Sequence, residues 1–236
     1  MRLRTRVVSQ LAALCFALAA SSFAADNAYL YVIHGIPGRD ISNNTNPGYP
    51  IDVLINGDCL VRDLTFGNTS GPLSFSAGTY DVQISETNSL APCTNAAVIT
   101  SQVTLASGSS VSAVAALTSS QPALLPFTDD MAGISSGNAR FVFANSAVAP
   151  ELQAMLTQVG VKNPKTFIVT ADSDAQGAVT VPAGVYLVQV EATGGTTILT
   201  SEQINLTDQS VTLSYAAGEN SNNTVGLVTR AIRDVF

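Results

Sequence analysis

The feature that most constrains the fold of this chain is a nine-residue phrase that occurs twice. The first copy spans residues 76–84 (SAGTYDVQI) and the second spans residues 182–190 (PAGVYLVQV), 106 positions further on. Each copy sets Ala-Gly before a tyrosine and an alternating apolar run, which is typical of a tight turn that opens a half-buried strand. Because this spacing is about one domain length, the repetition predicts two similar β units.

The first 24 residues have the pattern of a secretory signal. Three arginines precede a short apolar run at residues 11–20, and Ser22-Phe23-Ala24 has small residues at the two positions that cleavage requires. The chain is therefore expected to be exported, to lose residues 1–24, and to reach the periplasm, the cell surface or the extracellular space. The apolar run is too short to span a bilayer and no later run is longer, so no membrane insertion is expected after cleavage.

The mature chain is strongly acidic. The leader holds three of the ten basic residues and none of the seventeen acidic ones, so seven basic residues face seventeen acidic residues and the net charge is −10. A surface of this sign repels nucleic-acid phosphates, which excludes nucleic acid as a partner. The expected partner is therefore an unidentified protein or glycan.

Two cysteines, Cys59 and Cys93, remain after cleavage. An even pair in an exported chain predicts a disulfide. A metal site is the alternative, but no histidine or second cysteine pair lies near in sequence to complete four ligands. We therefore predict a disulfide, with no metal and no cofactor.

Short apolar runs separated by turn signals every 8–12 residues favour an all-β chain with about seven strands in each half. The sequence predicts two tandem immunoglobulin-like or transthyretin-like β-sandwich modules. The first module spans residues 25–130, a Gly/Ser-rich linker spans 131–137, and the second module spans 138–236.

One segment in the second module departs from the strand pattern. Residues 150–159 begin with proline, precede Gly160, and place apolar side chains at positions 152, 155, 156 and 159. This spacing is that of one helical face. It predicts a short helix that caps one end of the second sandwich, and a partner-binding helix is the alternative.

The repeated phrase assigns structural roles to Gly78, Tyr80, Gly184 and Tyr186. Each glycine supplies the backbone freedom of the turn. A tyrosine at the start of a late strand can bury its ring and return its hydroxyl to the preceding loop. An ordinary core aromatic is the alternative interpretation.

Four blocks of the first half resemble the DUF4397 family. They are residues 32–38 (VIHGIPG), 50–57 (PIDVLING), 64–67 (LTFG) and 76–80 (SAGTY), in the order of the family pattern. The resemblance covers about residues 30–120, and the second half matches it at the Ala-Gly-x-Tyr block and the strands that follow. It implies an exported bacterial β-sandwich, often duplicated in one chain, and no established activity.

His34, Asp40 and Asp52 are the candidate binding residues. His34 is the only histidine and lies at the end of a predicted strand, and the two aspartates are its possible partners. The one Gly-x-Ser-x-Gly match, residues 133–137 (GISSG), lies in the predicted linker and not between a strand and a helix, where the nucleophile elbow of a serine hydrolase is found, so we predict no catalytic residue. A hydrogen bond from His34 to a carbonyl or to Asp52 would order residues 35–50, and the loop at residues 40–50 is the first candidate for recognition.

These patterns favour an exported, non-enzymatic binding or display protein. A carboxylate-dependent hydrolase or carbohydrate-active enzyme is one alternative, because acidic residues are numerous enough to supply a catalytic pair. A subunit of a surface fibre or adhesion structure is another, and it would require exposed strand edges for pairing.

Overall fold

A computed structural model describes residues 27–38, 40, 49–119 and 121–232. The predicted signal at residues 1–24 and residues 41–48 of the predicted recognition loop lie outside the described residues. The described chain forms these strands: β1 (Ala28–His34), β2 (Ile51–Ile55), β3 (Asp58–Leu64), β4 (Thr69–Phe75), β5 (Gly78–Glu86), β6 (Ala97–Leu105), β7 (Ser110–Thr118), β8 (Gln121–Thr128), β9 (Asn138–Asn145), β10 (Leu152–Gln158), β11 (Thr166–Ala171), β12 (Gln176–Pro182), β13 (Gly184–Ala192), β14 (Ile198–Leu206), β15 (Val211–Ala217) and β16 (Gly226–Ile232).

The strands form two β-sandwiches with the same topology. In the first sandwich (β1–β8) the sheets have the orders β4-β1-β7-β8 and β3-β2-β5-β6, and in the second sandwich (β9–β16) they have the orders β12-β9-β15-β16 and β11-β10-β13-β14. In both, the first and seventh strands pair in parallel while their other neighbours are antiparallel. The all-β, two-sandwich prediction is confirmed. Eight strands in two sheets of four differ from the seven strands of a constant-type immunoglobulin domain, so transthyretin-like is the better description.

The helix predicted at residues 150–159 is wrong, because most of this segment is strand β10. Leu152, Ala154 and Leu156 are fully buried, while the residues between them are half-exposed, so the burial period is two. Helical spacing and strand spacing overlap in so short a segment, and too few residues are present to stabilise an isolated helix. Pairing with β11 on one side and β13 on the other decides for the strand.

The two copies of the repeated phrase open β5 and β13, and their tyrosines make the same hydrogen bond. Tyr80 donates its hydroxyl to the carbonyl of Ser76, and Tyr186 donates its hydroxyl to the carbonyl of Pro182, both at 2.8 Å. Tyr186 is fully buried and Tyr80 is half-exposed. Each hydroxyl therefore fastens the strand to the turn four residues before it.

The two glycines of the phrase differ in backbone conformation. Gly184 has φ +156°, at the limit of the range that favours glycine, whereas Gly78 is not among the residues with positive φ. A Cβ added to Gly78 would lie in ordinary contact with the Tyr80 ring, at 3.6 Å. The conformational argument for glycine thus applies to the second copy of the phrase and not to the first.

A third hydrophobic core joins the two sandwiches. Alternate residues of β1 divide between two cores: Leu30 and Val32 face the interior of the first sandwich, and Ile33 faces the second sandwich. In β15, Leu213 and Tyr215 face the first sandwich in the same way. The sheets β4-β1-β7-β8 and β12-β9-β15-β16 therefore pack face to face, and the molecule is a stack of four sheets.

Close contacts at both ends of the stack support this packing. A Cβ added to Gly35, just after β1, would lie 3.1 Å from the Cβ of Ala217, at the end of β15. Ile134, within the predicted linker, is 8% exposed and belongs to the third core. The linker residue is thus packed against the sandwiches, and the domain boundaries proposed above stay a prediction.

A buried ion pair crosses the third core. Arg230 of β16 pairs with Asp129, which follows β8. The Asp129 carboxylate also accepts hydrogen bonds from Ser110 (2.5 Å) and Ser112 (2.7 Å), and the Arg230 guanidinium carbon lies 3.6 Å from the centre of the Tyr31 ring.

The charges of this pair influence Tyr215, whose ring packs beside Phe127 with the centroids 6.0 Å apart. Burial, and after it the negative charge of Asp129, raise the pKa of Tyr215 to about 12. The Tyr215 hydroxyl therefore stays protonated and neutral between the two sandwiches.

Candidate binding site

His34 lies fully buried at the end of β1, with both ring nitrogens occupied. The Ile36 backbone N–H donates to Nδ1 at 3.3 Å, and Nε2 lies 2.7 Å from the Tyr49 carbonyl oxygen. These contacts assign the proton to Nε2, which donates to Tyr49. Burial lowers the pKa of His34, and the bond to Tyr49 opposes this shift without reversing it. The neutral His34 side chain therefore connects β1 to Tyr49, two residues before β2.

Asp52 lies in β2 with no exposed surface. Its Oδ1 accepts hydrogen bonds from the Asp63 N–H (3.1 Å) and the Thr87 hydroxyl (2.9 Å), and its Oδ2 accepts one from the Cys93 N–H (2.7 Å). Burial acts to raise the pKa of Asp52, but the hydrogen bonds from Cys93, Asp63 and Thr87 outweigh it and the pKa is lowered. The carboxylate holds a loop in place and is not open to a ligand.

The predicted disulfide between Cys59 and Cys93 is confirmed, with the two Cα atoms 5.9 Å apart. It connects β3 to the loop whose backbone Asp52 holds. The covalent bond and the buried carboxylate thus fix the same part of the first sandwich.

Asp40 contacts the second sandwich. Its carboxylate accepts hydrogen bonds from Asn222 Nδ2 at 3.1 Å and from the Thr224 hydroxyl at 2.7 Å, in the turn between β15 and β16. Asn222 also donates to Glu219 at 2.9 Å. None of the three predicted residues hydrogen-bonds to another: His34 and Asp52 stabilise the first sandwich, and Asp40 joins the two sandwiches.

Two cavities lie at the end of the stack where β1, β7, β9 and β15 finish. The smaller, about 50 Å³, is an apolar space beside His34, Ile36 and Tyr49. Since one water needs about 10–15 Å³ of such space, this cavity has room for only a few waters. The larger is a crevice of about 380 Å³ between the sandwiches, and it has the size of a small-molecule site.

Turn residues from both sandwiches line the larger crevice. Thr118 ends β7 and Ser119 follows it in the β7–β8 turn, and Ser173 and Asp174 come from the β11–β12 turn. Val148 and Pro150 supply an apolar wall. The crevice combines hydroxyl groups, one carboxylate and apolar surface, which together can hold a polar, uncharged or cationic ligand.

Sequence reasoning missed this crevice, one side of which is the polar turn between β11 and β12. The turn is observed, with the Ala175 N–H bonded to the Asp172 carbonyl at 3.1 Å. Its approach to Ser119, more than fifty residues earlier, depends on the packing of the two sandwiches. No local motif in either turn indicates that the two turns meet.

Among the described residues, no group of three or more His, Cys, Asp or Glu side chains is arranged to hold a metal ion. The described part of the chain also contains no helix with the length and apolarity needed to cross a membrane.

A family model described as a domain of unknown function, DUF4397, matches residues 28–155, just over half of the chain. No curated protein matches the chain. The match begins at β1, covers the first sandwich and extends into β10 of the second.

Several solved structures show a distant likeness. A Bacteroides ovatus protein provisionally assigned to cell adhesion is 10% identical with a TM-score of 0.32, over 90% of this chain and 99% of that one. A provisionally assigned adhesin from the same species is 9% identical with a TM-score of 0.28, over 89% and 94%. The Bacillus anthracis TIE protein is 10% identical with a TM-score of 0.25, over 82% of this chain and 32% of that one, so the chain spans about a third of its length. TM-scores this low carry no argument about function.

Proposed function

We propose that this chain, which belongs to the DUF4397 family, is an exported, non-enzymatic binding or display protein of the cell envelope or extracellular space. The secretory pattern of residues 1–24 supports export. The Cys59–Cys93 disulfide supports it as well, because such bonds form and persist in oxidising compartments. The shared topology of the two sandwiches supports an origin by internal duplication.

The observation that carries the proposal is the crevice between the sandwiches. Its volume of about 380 Å³ falls in the range of ligand sites. Three hydroxyl groups and the Asp174 carboxylate can exchange hydrogen bonds with the hydroxyls of a sugar, and Val148 with Pro150 can cover an apolar sugar face. We propose a glycan segment as the ligand, held at the junction of the two units.

The test is binding of the purified exported protein to a glycan array, followed by titration with the best glycan. Asp174→Asn removes the charged acceptor, and asparagine tolerates the positive φ of that residue, +60°. Because a hydrogen bond to a charged group contributes about 1.5–3 kcal/mol, the affinity should fall at least about tenfold. Asp172→Asn, in the same turn but outside the crevice lining, is the matched control and should bind like the wild type.

Equal affinity of the two variants, or no glycan bound by the wild type, would contradict the proposal. Cleavage of the bound glycan during the titration would instead favour the carboxylate-dependent hydrolase. Recovery of a mature chain that begins at Ala25 from envelope or culture fractions would test export.

A further inference from the structure

The turn between β10 and β11 has an unusual composition for this chain. Residues 159–165 (VGVKNPK) contain both of the lysines in the sequence. All seven residues are exposed, and Val159 and Val161 keep 41% and 47% of their surface. The turn is therefore a basic and apolar tip on a chain whose mature net charge is −10.

The tip has an ordered base and a free end. Gln158 and Lys165 exchange a backbone hydrogen bond at 3.1 Å, and the Gln158 side chain accepts the Lys165 N–H at 3.2 Å. No acidic residue occurs between Glu151 and Asp172 in the sequence, so the hairpin itself does not neutralise the two lysines. Projecting side chains with uncompensated charge are suited to contact an acidic partner.

The equivalent hairpin of the first sandwich is acidic on balance, because exposed Asp58 and Asp63 of β3 and the neighbouring Asp81 of β5 outnumber one exposed cation, Arg62. Asp58 and Asp81 are exposed beside the β2–β3 turn, and Leu60 is 44% exposed. Asp81 is held by Gln102 Nε2 at 2.8 Å, and its own N–H donates to the Asn56 side chain at 2.9 Å. Residues 25–130 contain nine acidic and two basic residues, and residues 131–236 contain eight acidic and five basic. The acidic excess is therefore concentrated in the first half.

These two surfaces lie on opposite sides of the molecule. The β2–β3 hairpin belongs to one outer sheet of the four-sheet stack and the β10–β11 hairpin belongs to the other, since the two inner sheets form the third core. One molecule can therefore present its acidic side and its basic tip to two different neighbours at once.

We propose that the chain associates head to tail with further copies of itself. The 159–165 tip of one copy contacts the end of the β2–β3 hairpin of the next, where Asp58 lies on the core-facing side of the sheet edge and Asp81 lies on the outer side. The two surfaces differ, so the contact is heterologous and leaves one free surface at each end. The association extends into a linear assembly in which the sandwiches repeat in series.

The first measurement is sedimentation of the purified exported protein over a range of concentrations, at about 0.05 M and about 0.5 M salt. The weight-average mass should rise beyond that of a dimer at low salt and fall toward the monomer at high salt, because exposed charges are screened. A chain that stays monomeric at the highest concentration, or that associates equally at both salts, would overturn the proposal.

Charge reversal gives the sharper test. Lys162→Glu/Lys165→Glu should weaken self-association at least about tenfold, and Asp58→Lys/Asp81→Lys should do the same, because each places like charges in contact. Mixed in equal amounts, the two variants have two matched pairs of surfaces: the acidic tip of the first with the basic surface of the second, and the unchanged basic tip of the second with the unchanged acidic surface of the first. The mixture should therefore restore an assembly in which the two variants alternate, whereas each variant alone stays monomeric.

The matched control is Glu151→Lys/Asp172→Lys, which makes the same change in net charge as Asp58→Lys/Asp81→Lys but at the other end of the β10–β11 hairpin, where both side chains are exposed. It should associate at least as well as the wild type. Circular dichroism confirms that each variant is folded. Self-association that survives both reversals, or a mixture that stays monomeric, would overturn the proposal. Either result would favour a different anionic partner for the tip.

Discussion

Replacement of Arg230 by methionine should destabilise the protein more than any other single change at the contact between the sandwiches. The Arg230 side chain is 9% exposed and its partner Asp129 is fully buried. Methionine preserves most of the side-chain volume and removes the charge. The substitution leaves the Asp129 carboxylate with the hydroxyls of Ser110 and Ser112 as its hydrogen-bond donors.

The magnitude follows from these contacts. Removing one partner of a buried ion pair costs about 3–5 kcal/mol, and the loss of a desolvated cation from the Tyr31 ring adds to the cost. The two serine hydroxyls stay bonded to the carboxylate and offset part of the loss. We expect a decrease of about 3–4 kcal/mol in the free energy of unfolding, which lowers the Tm of a chain of this size by about 10 °C.

The assay is urea unfolding, followed by far-UV circular dichroism and tyrosine fluorescence, since the chain has no tryptophan. The matched control is Asp129→Leu/Arg230→Met, in which no charge is left buried. It should lose clearly less than Arg230→Met alone, about 1–2 kcal/mol, because Ser110 and Ser112 still lose their acceptor. A loss below about 1 kcal/mol for Arg230→Met, or a double variant no more stable than the single, would refute the packing of the two inner sheets.

Three further predictions concern single residues of the two sandwiches. Tyr186→Phe should lower the free energy of unfolding by about 1–2 kcal/mol and Tyr80→Phe by less, because the hydrogen bond of Tyr186 is partly buried whereas water can replace the exposed bond of Tyr80; equal losses in urea titrations would argue against the difference in burial. The lowered pKa of His34 means that its stabilising contribution is complete above a pH of about 6.5 and is lost as the pH falls through the folded-state pKa. His34→Gln keeps a donor for the carbonyl and should remove this pH dependence; a slope equal to that of the wild type would show that another group titrates. Reduction of Cys59–Cys93 should cost about 3–4 kcal/mol for its loop of 34 residues, and two free thiols in the unreduced, unfolded protein would contradict the bond itself.

The fold class could be predicted because local patterns repeat in this chain. The phrase around Tyr80 and Tyr186 gave both the strands and the number of units, and its hydroxyl bonds depend on residues only four positions away. Local geometry of this kind is encoded in neighbouring residues. The helix predicted at residues 150–159 was wrong because the apolar spacing of so short a segment fits both a helical and a strand period. Only pairing with β11 and β13 decides for the strand.

The third core had a signal that was not interpreted. Residues 111–117 (VSAVAAL) and 211–217 (VTLSYAA) lack charged residues, and their only polar side chains are the small hydroxyls of serine and threonine. This is the pattern of a strand buried on both faces, and β7 and β15 are buried along almost their whole length. A strand at the surface of an isolated sandwich would have shown charged or long polar side chains on its outer face.

The candidate site was less predictable than the fold. A carbonyl partner for His34 was among the expected outcomes, because a strand-end histidine has few other groups in reach. The partners of Asp40 and the crevice beside Asp174 depend on residues from the other sandwich. Contacts between units far apart in the sequence are set by packing, and no motif in a single sequence records them.

Small-angle X-ray scattering tests the four-sheet stack most directly. With sheets about 10 Å apart, the centres of two compact units of about 100 residues lie about 20 Å apart, which gives a radius of gyration of about 17 Å for the mature chain. The scattering should be measured at high salt and low protein concentration, where copies of the chain do not associate. The stack predicts about 17 Å, whereas units joined only by their linker, with centres about 40 Å apart, would give about 24 Å and contradict it.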